Sequence, residues 1–426
     1  MYSLVTQAIK TCLLLHLMYW LCPALGAATL EVCPDGCAYS SIQQAVDAAA
    51  AGDSLLIKPG IYREHLILID KPLSILGQEG AVVDGQYQGE IFRIRANDVS
   101  LSGLEIRHVG TSYTEDQAGI RVEKSKNCQI FNNKLSDTFF GIYLAHASNC
   151  EIRNNQVIGK AEKEISSGNA IHLWYCKEIT VKDNLAKHHR DGIYLEFVEN
   201  SHILHNVSED NLRYGLHFMF SDYDDYLHNT FRRNGAGVAV MFSRHIRMQH
   251  NRFEENWGPS AYGLLLKEIY DSEITSNVFR KNTVAIYAES ATRIRIAQND
   301  FLQNGWAMKM LGSSMDNTIT QNNFISNSFD LATDSRRNHN QYEANYWSEY
   351  AGYDLDKDGT GDVPYRPVKL YAFIVGESPA TIILLRCLLM DLLNYAEKVM
   401  PVLTPQTLLD ERPRMKPYPR NQSFNP

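Results

Sequence analysis

A unit of roughly 22 residues recurs along most of this chain, and a repeat of that length leaves few architectures open. Each unit begins with a small residue and an apolar–x–apolar triplet, and the small residues are Gly119, Gly141, Ala170, Gly192, Gly215, Gly237, Gly263, Ala285 and Ala307. An asparagine follows 14 or 15 residues later, at Asn133, Asn155, Asn184, Asn206, Asn229, Asn251, Asn277, Asn299 and Asn322, and Asn345 continues the series one repeat further on. Leucine-rich, tetratricopeptide and ankyrin repeats do not fit this pattern.

The pattern predicts a coil in which every repeat forms one turn of short strands. Successive turns would stack in parallel register about 4.8 Å apart, so that like side chains lie above one another. Stacked asparagines can hydrogen-bond from turn to turn, and they tolerate the left-handed backbone of a tight bend. An aromatic series fits a stack inside the coil: Phe231, Phe253, Phe279, Phe301, Phe324 and Trp347. We therefore predict an all-β, single-stranded right-handed parallel β-helix, a solenoid that occupies residues 53–366.

The N-terminal residues carry a targeting signal and then a cap for the coil. Lys10 precedes an apolar stretch that ends in small residues at Gly26, which is typical of a secretory signal peptide and predicts one over residues 1–28. The alternative, a single membrane anchor, needs a longer apolar run. The alanine-rich pattern within residues 29–52 predicts a helical N-terminal cap, because an open end would expose unpaired strand edges.

Two cysteines follow the predicted cleavage point. Cys33 and Cys37 flank the turn sequence Pro-Asp-Gly. In an oxidising compartment a local disulfide between them is the favoured interpretation, and a metal site is the alternative.

Beyond residue 366 the asparagine series stops and apolar runs replace it. Leu370–Val375 and Ala380–Met400 are apolar, and Pro379 and Pro401 bound a predicted helix. Interior charges argue against a membrane span, while so much apolar surface is unfavourable on a free helix. We therefore expect amphipathic helices in residues 367–426 that dock on a membrane partner. The predicted docking residues are Leu384, Leu385, Leu388, Leu389, Leu392 and Leu393.

The charge balance argues against one class of partner. The chain has 41 Lys and Arg against 49 Asp and Glu, a formal charge of −8. Without a basic face, nucleic acid is not expected as a partner.

Several segments together resemble a known family. They are the secretory start, the opening IQQAVDAAAAGDSLLIKPGIY, the turns GIYLEFVENSHILHN and GLHFMFSDYDDYLHN, and the ending NYWSEYAGYDLDKDGTGDVPYRP. The repeat resembles the pectate-lyase-like β-helix superfamily, and the whole set resembles the NosD family of periplasmic nitrous-oxide reductase maturation proteins. This resemblance implies a role in copper-centre assembly. It also implies as partners a membrane ABC-type transporter permease, its cytoplasmic ATPase subunit, a copper chaperone lipoprotein and the reductase itself.

Side-chain alternation along the strands places two columns of residues on an outer face of the coil. The candidate copper ligands in these columns are His172, Trp174, His217, Met219 and Met241. A thioether gains little in water, and thioether with imidazole suits copper, Cu(I) above all, better than calcium or magnesium. The columns predict a copper site on an exposed face, with a structural ladder of polar side chains as the alternative.

A third column directly precedes the asparagine series on three successive coils. Its members are His205, His228 and His250, and a spacing of about 4.8 Å would let two imidazoles share one metal ion. Copper is the predicted ion here too. The alternative is a polar ladder in which each histidine donates to a carbonyl at the bend.

An acidic segment near the end of the repeats resembles a calcium-binding loop. Its candidate ligands are Asp354, Asp356, Asp358, Thr360 and Asp362. Gly359 stands at the sixth position, as in such loops, but Tyr365 replaces the usual bidentate glutamate at the twelfth. The segment predicts a structural Ca²⁺ or Mg²⁺ ion, and an acidic turn without an ion is the alternative.

Three classes of function remain to be weighed. The residues and the resemblance together favour a non-enzymatic periplasmic scaffold that handles copper. The alternative is a secreted carbohydrate-active lyase, hydrolase or epimerase, which needs clustered acids in a groove. The outward acids Glu123, Glu196 and Glu289 lie on distant coils. The nearest approach to such a cluster is Asp222, Asp224 and Asp225. A purely structural stalk would leave the histidines and methionines unexplained.

Overall fold

Three long parallel sheets wind around one apolar core and form a parallel β-helix. The computed structural model describes residues 27–112, 114–335, 337–377, 381, 388, 392–393, 395 and 408–419. In each coil the chain passes from sheet A to sheet B to sheet C and returns to sheet A one layer higher. This confirms the predicted all-β, right-handed parallel solenoid. The predicted signal peptide lies almost wholly outside the described residues.

Sheet A contains 14 strands, and its first strand pairs in parallel with the second. Residues 29–52 therefore contribute a strand as well as a helix. The strands are β1 (Thr29–Val32), β2 (Ser54–Ile57), β5 (Ser74–Gly77), β8 (Ser100–Ser102), β11 (Gln129–Phe131), β14 (Glu151–Arg153), β17 (Thr180–Lys182), β20 (His202–Leu204), β23 (Asp225–Leu227), β26 (Arg247–Gln249), β29 (Glu273–Thr275), β32 (Arg295–Ala297), β35 (Thr318–Thr320) and β38 (Gln341–Glu343).

Sheet B contains 13 strands and joins sheet A through a tight bend. Its strands are β3 (Gly60–Tyr62), β6 (Ala81–Asp84), β9 (Glu105–Arg107), β12 (Lys134–Ser136), β15 (Gln156–Ile158), β18 (Leu185–Lys187), β21 (Val207–Glu209), β24 (Thr230–Arg232), β27 (Arg252–Glu254), β30 (Val278–Arg280), β33 (Asp300–Leu302), β36 (Asn323–Ile325) and β39 (Tyr346–Trp347).

Sheet C contains 12 strands, two of which reach nine residues. Its strands are β4 (Ile67–Ile69), β7 (Phe92–Ile94), β10 (Ala118–Glu123), β13 (Phe140–Ala145), β16 (Ile171–Trp174), β19 (Asp191–Glu196), β22 (Tyr214–Met219), β25 (Ala236–Arg244), β28 (Tyr262–Tyr270), β31 (Val284–Glu289), β34 (Trp306–Met310) and β37 (Phe329–Ala332). A 3-10 turn at Glu164–Ser166 lies in the insertion that leads into β16.

The asparagine series forms a buried hydrogen-bonded ladder at the bend between sheets A and B. The side-chain oxygen of Asn277 accepts from the backbone N–H of Asn251 at 2.9 Å and from its side-chain amide at 3.0 Å, and Asn299 accepts in the same way from Asn277. Inside the coil the Phe279 ring stacks on the Phe253 ring at 4.5 Å between centroids. The asparagine contacts satisfy the hydrogen-bonding groups of the buried bend, and the stacked rings fill the core of each coil. Both predicted stacks are confirmed.

Helix α1 (Ile42–Ala48) covers the first coil. Its N-cap, Ser41, accepts from the backbone N–H of Gln44 at 3.4 Å. The carboxylate of Glu64 accepts from the Ser41 hydroxyl at 2.8 Å and from the Ile42 N–H at 2.7 Å. Because Ile42 and Val46 are buried against the coil, the helix removes the open edge from water. The predicted N-terminal cap is confirmed.

The chain returns at residues 408–419 to close the other end of the coil. The Asp410 carboxylate accepts from the Asn345 N–H at 3.0 Å and from the Trp347 indole N–H at 3.0 Å. Asp410 thus supplies a final acceptor to the asparagine ladder. Tyr346 and Arg414 form a further backbone bridge beside it.

Helix α2 (Leu370–Glu377) packs on the outer face of sheet C. Tyr371 and Val375 contact Trp306 and Phe329 in a cluster of apolar side chains. This helix precedes Pro379, whereas most of the predicted helix between Pro379 and Pro401 lies outside the described residues. In the part of the chain that the structure describes, no helix is both long enough and apolar enough to span a membrane.

Candidate functional site

The outer face of sheet C carries the two predicted columns in register. Tyr143, His172, Tyr194, His217 and Ala239 lie on successive strands from β13 to β25. The neighbouring column brings together Trp174, Glu196, Met219 and Met241. All these side chains point away from the core because the residues between them point inward.

The two histidines of this face are buried, so the expectation that His172 and His217 are exposed is wrong. The exposed fraction is 7% for His172 and 6% for His217. The Tyr194 ring lies between them, with its centroid 4.7 Å from each imidazole. The Tyr214 ring, with its centroid 4.8 Å from that of His217, covers this imidazole from the start of the same strand, β22. The tyrosines of adjacent coils thus exclude water from both imidazoles.

His217 has no hydrogen-bond partner among the described residues for either ring nitrogen. The carboxylate of Asp191 lies 3.9 Å from the imidazole Nδ1. That carboxylate is fully buried and already accepts two bonds from the Arg213 guanidinium, at 2.9 and 2.5 Å. An unpaired buried polar group costs about 1–3 kcal/mol, which a ligand at the imidazole would recover.

Burial also keeps the imidazoles neutral. Burial lowers the pKa of His217 to about 4. The negative charge of Asp191 acts in the opposite direction, and the positive charges of Arg213 and Arg190 lower the pKa further. Burial lowers the pKa of His172 to about 3, and Arg190 adds to the effect. A neutral imidazole presents a free lone pair, which is the form that binds a metal ion.

Met219 and Met241 supply thioethers beside His217. They are half-buried neighbours in register on β22 and β25, and Met219 lies two residues along the same face from His217. The Tyr194 hydroxyl donates to the Met219 sulfur at 3.6 Å. One imidazole and two thioethers therefore lie around one partly open patch.

His172 and Trp174 form a separate position on this face. His172 is two strands away from His217, roughly 10 Å at the usual strand spacing, with Tyr194 between them. Its Nδ1 lies 3.3 Å from the Asn169 side-chain amide, and its Nε2 has no hydrogen-bond partner in the described structure. The five predicted ligands of this face do not form one site.

A stack of exposed and half-buried aromatic rings, which the sequence interpretation missed, borders the methionines. Its members are His146, Tyr175, Phe197, Phe220 and Phe242. Each lies five residues after the small residue that opens its repeat, so the spacing alone could have revealed it. Because the rings stack face to face, at 4.5–5.4 Å between centroids, they expose mainly edges. Such a stack is a poor platform for sugar rings, which bind to aromatic faces.

The third predicted column lies elsewhere on the coil. His205, His228 and His250 are exposed at the bend between sheets A and B, and their rings stack at 4.9 and 4.8 Å between centroids. Eight candidate copper ligands are therefore distributed over three places rather than one.

The predicted cation loop brings its first three carboxylates together. Asp354, Asp356 and Asp358 each offer an oxygen within 4.8 Å of the others. Asp354 accepts from the Gly359 N–H at 2.9 Å, whereas Asp362 turns back to accept from the Leu355 N–H at 2.7 Å. Tyr365 packs on Trp347 and supplies no carboxylate at the twelfth position. Thr360, the remaining predicted ligand, donates its N–H to Asp358 at 2.6 Å.

The structure also places the predicted disulfide and docking residues. Cys33 and Cys37 form a disulfide. Leu388 and Leu392 are exposed, at 75% and 57%. Leu393 instead packs against the apolar cluster of sheet C, so it is partly covered by the chain itself. The other three predicted docking residues, Leu384, Leu385 and Leu389, lie outside the described residues.

The three clustered acids considered for a carbohydrate-active enzyme already form ion pairs or hydrogen bonds within the chain. Asp222 pairs with Arg244 at 2.9 Å, and Asp225 pairs with Arg247 at 2.5 Å. Asp224 is buried, accepts from the backbone of Ser201, and has a pKa that burial raises well above its ordinary value. The three carboxylates face different surroundings and do not form the paired acids of a proton-transfer site.

Fold and site define a parallel β-helix that carries imidazole and thioether groups together on the outer face of sheet C. A family described as "Periplasmic copper-binding protein (NosD)" matches residues 82–167 and 159–352. The chain belongs to the NosD family.

Two curated relatives extend this similarity over most of the chain. Both are described as "Probable ABC transporter binding protein NosD". The one from Pseudomonas aeruginosa is 29% identical over 376 residues, which cover 84% of this chain and 87% of the relative. The one from Stutzerimonas stutzeri is 28% identical over 368 residues, which cover 82% and 84%.

Solved structures show likeness of fold alone. The Dettilon tailspike protein has a TM-score of 0.57 at 14% identity and covers 70% of this chain and 66% of its own. The A-module of the mannuronan C-5 epimerase AlgE6 from Azotobacter vinelandii has a TM-score of 0.52 at 11% identity and covers 72% and 93%. At these identities neither carries an argument about chemistry.

Proposed function

We propose that this chain is a periplasmic, non-enzymatic scaffold that receives copper and passes it on during assembly of the copper centres of nitrous-oxide reductase. The observation that carries the proposal is His217, a neutral, buried imidazole with both nitrogens unpaired in the described structure, beside two methionines. The family description supports copper as the cargo.

The donor set favours the reduced ion. Thioethers are soft ligands that select Cu(I), and a neutral imidazole completes a three-ligand set of His217, Met219 and Met241. The half-buried methionines leave one side of the patch open, so the ion can be passed on. His172 with Trp174 offers a second position further down the same face, where an indole can contact a cation through its ring.

The partners follow from the family and from the C-terminal segment. The relatives are described as binding proteins of an ABC transporter, which supports a transporter permease with a cytoplasmic ATPase subunit as the membrane partner. A copper chaperone lipoprotein would deliver the ion, and the reductase would receive it. Residues 367–426 would dock on the permease through exposed side chains such as Leu388 and Leu392. Helix α2 anchors that segment to sheet C, the sheet that carries His217.

A bacterial strain that lacks its own NosD-type protein provides the functional test. The wild-type chain should restore the copper content of purified nitrous-oxide reductase, measured by mass spectrometry of the metal. A chain with His217→Gln and Met219→Leu should restore less than half of it, and His245→Asn, which changes an exposed histidine outside the patch, should behave as wild type. Full restoration by the double variant would contradict the proposal.

The docking proposal needs a separate variant. Deleting the whole C-terminal region would remove Asp410 and thereby expose the end of the asparagine ladder. Leu388→Asp with Leu392→Asp changes only exposed side chains. This variant should keep Cu(I) binding in solution and still fail to restore the reductase.

We further propose that the acidic loop holds a structural Ca²⁺ or Mg²⁺ ion. Beyond the three grouped carboxylates, one oxygen of Asp354 is buried and has no hydrogen-bond partner within the described residues. The loop is joined to the closing segment, since the Gly361 N–H donates to the Pro413 carbonyl at 2.7 Å. An ion would therefore also stabilise the end of the coil.

Calcium should raise the melting temperature of the mature chain by about 2–5 °C, because an ion at a hundredfold excess over its dissociation constant adds about 2.7 kcal/mol of stability. Differential scanning calorimetry with and without Ca²⁺ measures the shift. Asp356→Asn keeps the Asx contact to the Asp358 N–H and removes one charge, so it should abolish the shift. Asp316→Asn, an exposed change outside the loop, should retain it. An equal shift in both variants would contradict the site.

A further inference from the structure

His205, His228 and His250, which we call the histidine stack, are held in an unusual backbone conformation. Their φ angles are 55°, 58° and 57°, in the left-handed region. Each directly precedes a rung of the buried asparagine ladder, at Asn206, Asn229 and Asn251. Because the ladder fixes these bends from coil to coil, the backbone holds the three histidines in register, one coil or about 4.8 Å apart.

The rings are aligned almost perfectly. The His205 and His228 planes differ by 2° and the His228 and His250 planes by 7°, with centroids 4.9 and 4.8 Å apart. No side-chain hydrogen bond links any of the three imidazoles to the residues that the structure describes. All three side chains are exposed, so a ligand in solution can reach them.

The fold does not require histidine at this bend. On other coils the same position holds Asn132, Asn154, Asp183 and Ser276, all with positive φ. Asparagine and aspartate tolerate that conformation better than bulky residues. Structural need thus does not account for three consecutive histidines.

Ligand geometry limits how an ion can bind here. A metal–nitrogen bond is about 2.0–2.1 Å long, so one ion can bridge two nitrogens at most about 4.2 Å apart. The lone pair of an imidazole nitrogen lies in the plane of its ring, so two parallel rings must turn toward each other about their side-chain bonds before they can share an ion. Neighbouring coils are about 4.8 Å apart, which is close enough for two such side chains to do so. His205 and His250 lie about twice as far apart and cannot share an ion. Any bound ion therefore needs His228 with one of its neighbours.

We propose that the histidine stack is a second metal site, for a divalent cation such as Zn²⁺, Ni²⁺ or Cu²⁺, held by His228 and either His205 or His250 with water as the remaining ligands. Its donors are imidazole nitrogens without sulfur, which suit these ions better than Cu(I). It lies at the bend between sheets A and B, away from Met219 on sheet C. The inference does not rest on the proposed copper function.

Isothermal titration of the untagged mature chain with Ni²⁺ and Zn²⁺, in excess Ca²⁺ to saturate the acidic loop, tests the proposal. About one ion should bind per chain. His228→Asn should lower the affinity at least tenfold, because the two remaining histidines cannot meet. His205→Asn and His250→Asn should each change it by less than threefold, because one adjacent pair survives. Asparagine is the natural residue at two lower rungs, so these variants keep the bend, and circular dichroism checks this.

The controls separate this site from the copper patch. His245→Asn alters an exposed histidine at another bend and should leave Ni²⁺ binding unchanged. His228→Asn should also leave Cu(I) affinity unchanged. Wild-type Ni²⁺ affinity in His228→Asn, or an equal loss in all three stack variants, would overturn the shared-pair geometry.

Discussion

Replacing His217 by glutamine should weaken Cu(I) binding by the mature chain at least tenfold. Glutamine preserves much of the bulk and polarity of the side chain but removes the imidazole donor from a site that water barely reaches. A tenfold loss corresponds to 1.4 kcal/mol, which is modest for the removal of one of three ligands. Competition with a chromophoric Cu(I) chelator under anaerobic conditions measures the affinity. His245→Gln is the matched control, since it makes the same change at an exposed position.

The pH dependence of this affinity provides a second readout. Because burial lowers the pKa of His217 to about 4, protons do not compete with Cu(I) until the pH approaches that value. The affinity at pH 5 should therefore lie within about threefold of that at pH 7. An ordinary imidazole, with a pKa near 6.5, would lose roughly thirtyfold over the same range. A thirtyfold loss, or an unchanged affinity in His217→Gln, would exclude His217 as the ligand.

The same pKa has a consequence for the metal-free chain. Below about pH 6.5 the unfolded state takes up a proton at this histidine, whereas the native state does not until about pH 4. The contribution of His217 to the free energy of unfolding therefore falls as the pH drops between these values. Bound Cu(I) should add stability over that interval.

The repeat made the fold predictable, because a period with fixed offsets determines which residues become neighbours. Asn251 stacks below Asn277, and Phe253 stacks below Phe279, as their spacing required. The spacing also placed His205 above or below His228 with no further information. Each of these contacts depends only on register within one sheet or bend.

Burial at the proposed copper patch of His217, Met219 and Met241 could not be predicted in the same way. The alternation of side chains indicated that His217 points away from the core, but it did not indicate which side chains cover the imidazole. Tyr214 covers it and the Asp191–Arg213 pair flanks it, from the starts of two neighbouring strands, through contacts that the period does not specify. The role of Asp410 could not be predicted from the sequence for a related reason. It closes the ladder from 65 residues beyond Asn345, and no periodic signal leads to it.

The asparagine ladder should be the most sensitive element of the fold, and Asn155→Asp tests it. Asn155 is 1% exposed. Its side-chain N–H group donates to the Ile130 carbonyl at 2.9 Å and to the Asn184 side-chain oxygen at 3.0 Å. Aspartate would place an oxygen against both acceptors. We expect a loss of about 3–5 kcal/mol in the free energy of unfolding at pH 7.5, measured by urea denaturation.

Asn154→Asp is the matched control, because it makes the same chemical change at the neighbouring residue, whose side chain is exposed. It should cost less than about 0.5 kcal/mol. In Asn155→Asp the buried carboxyl would have a native pKa above its unfolded value near 3.9, so the destabilisation should grow as the pH rises from 4.5 to 7.5. Two results would contradict this prediction: an equal loss of unfolding free energy in the two variants, or a loss in Asn155→Asp that does not change with pH. Either result would mean that buried amide contacts between coils do not hold the register of the strands. The alignment of the histidines, which depends on that register, would then need another cause.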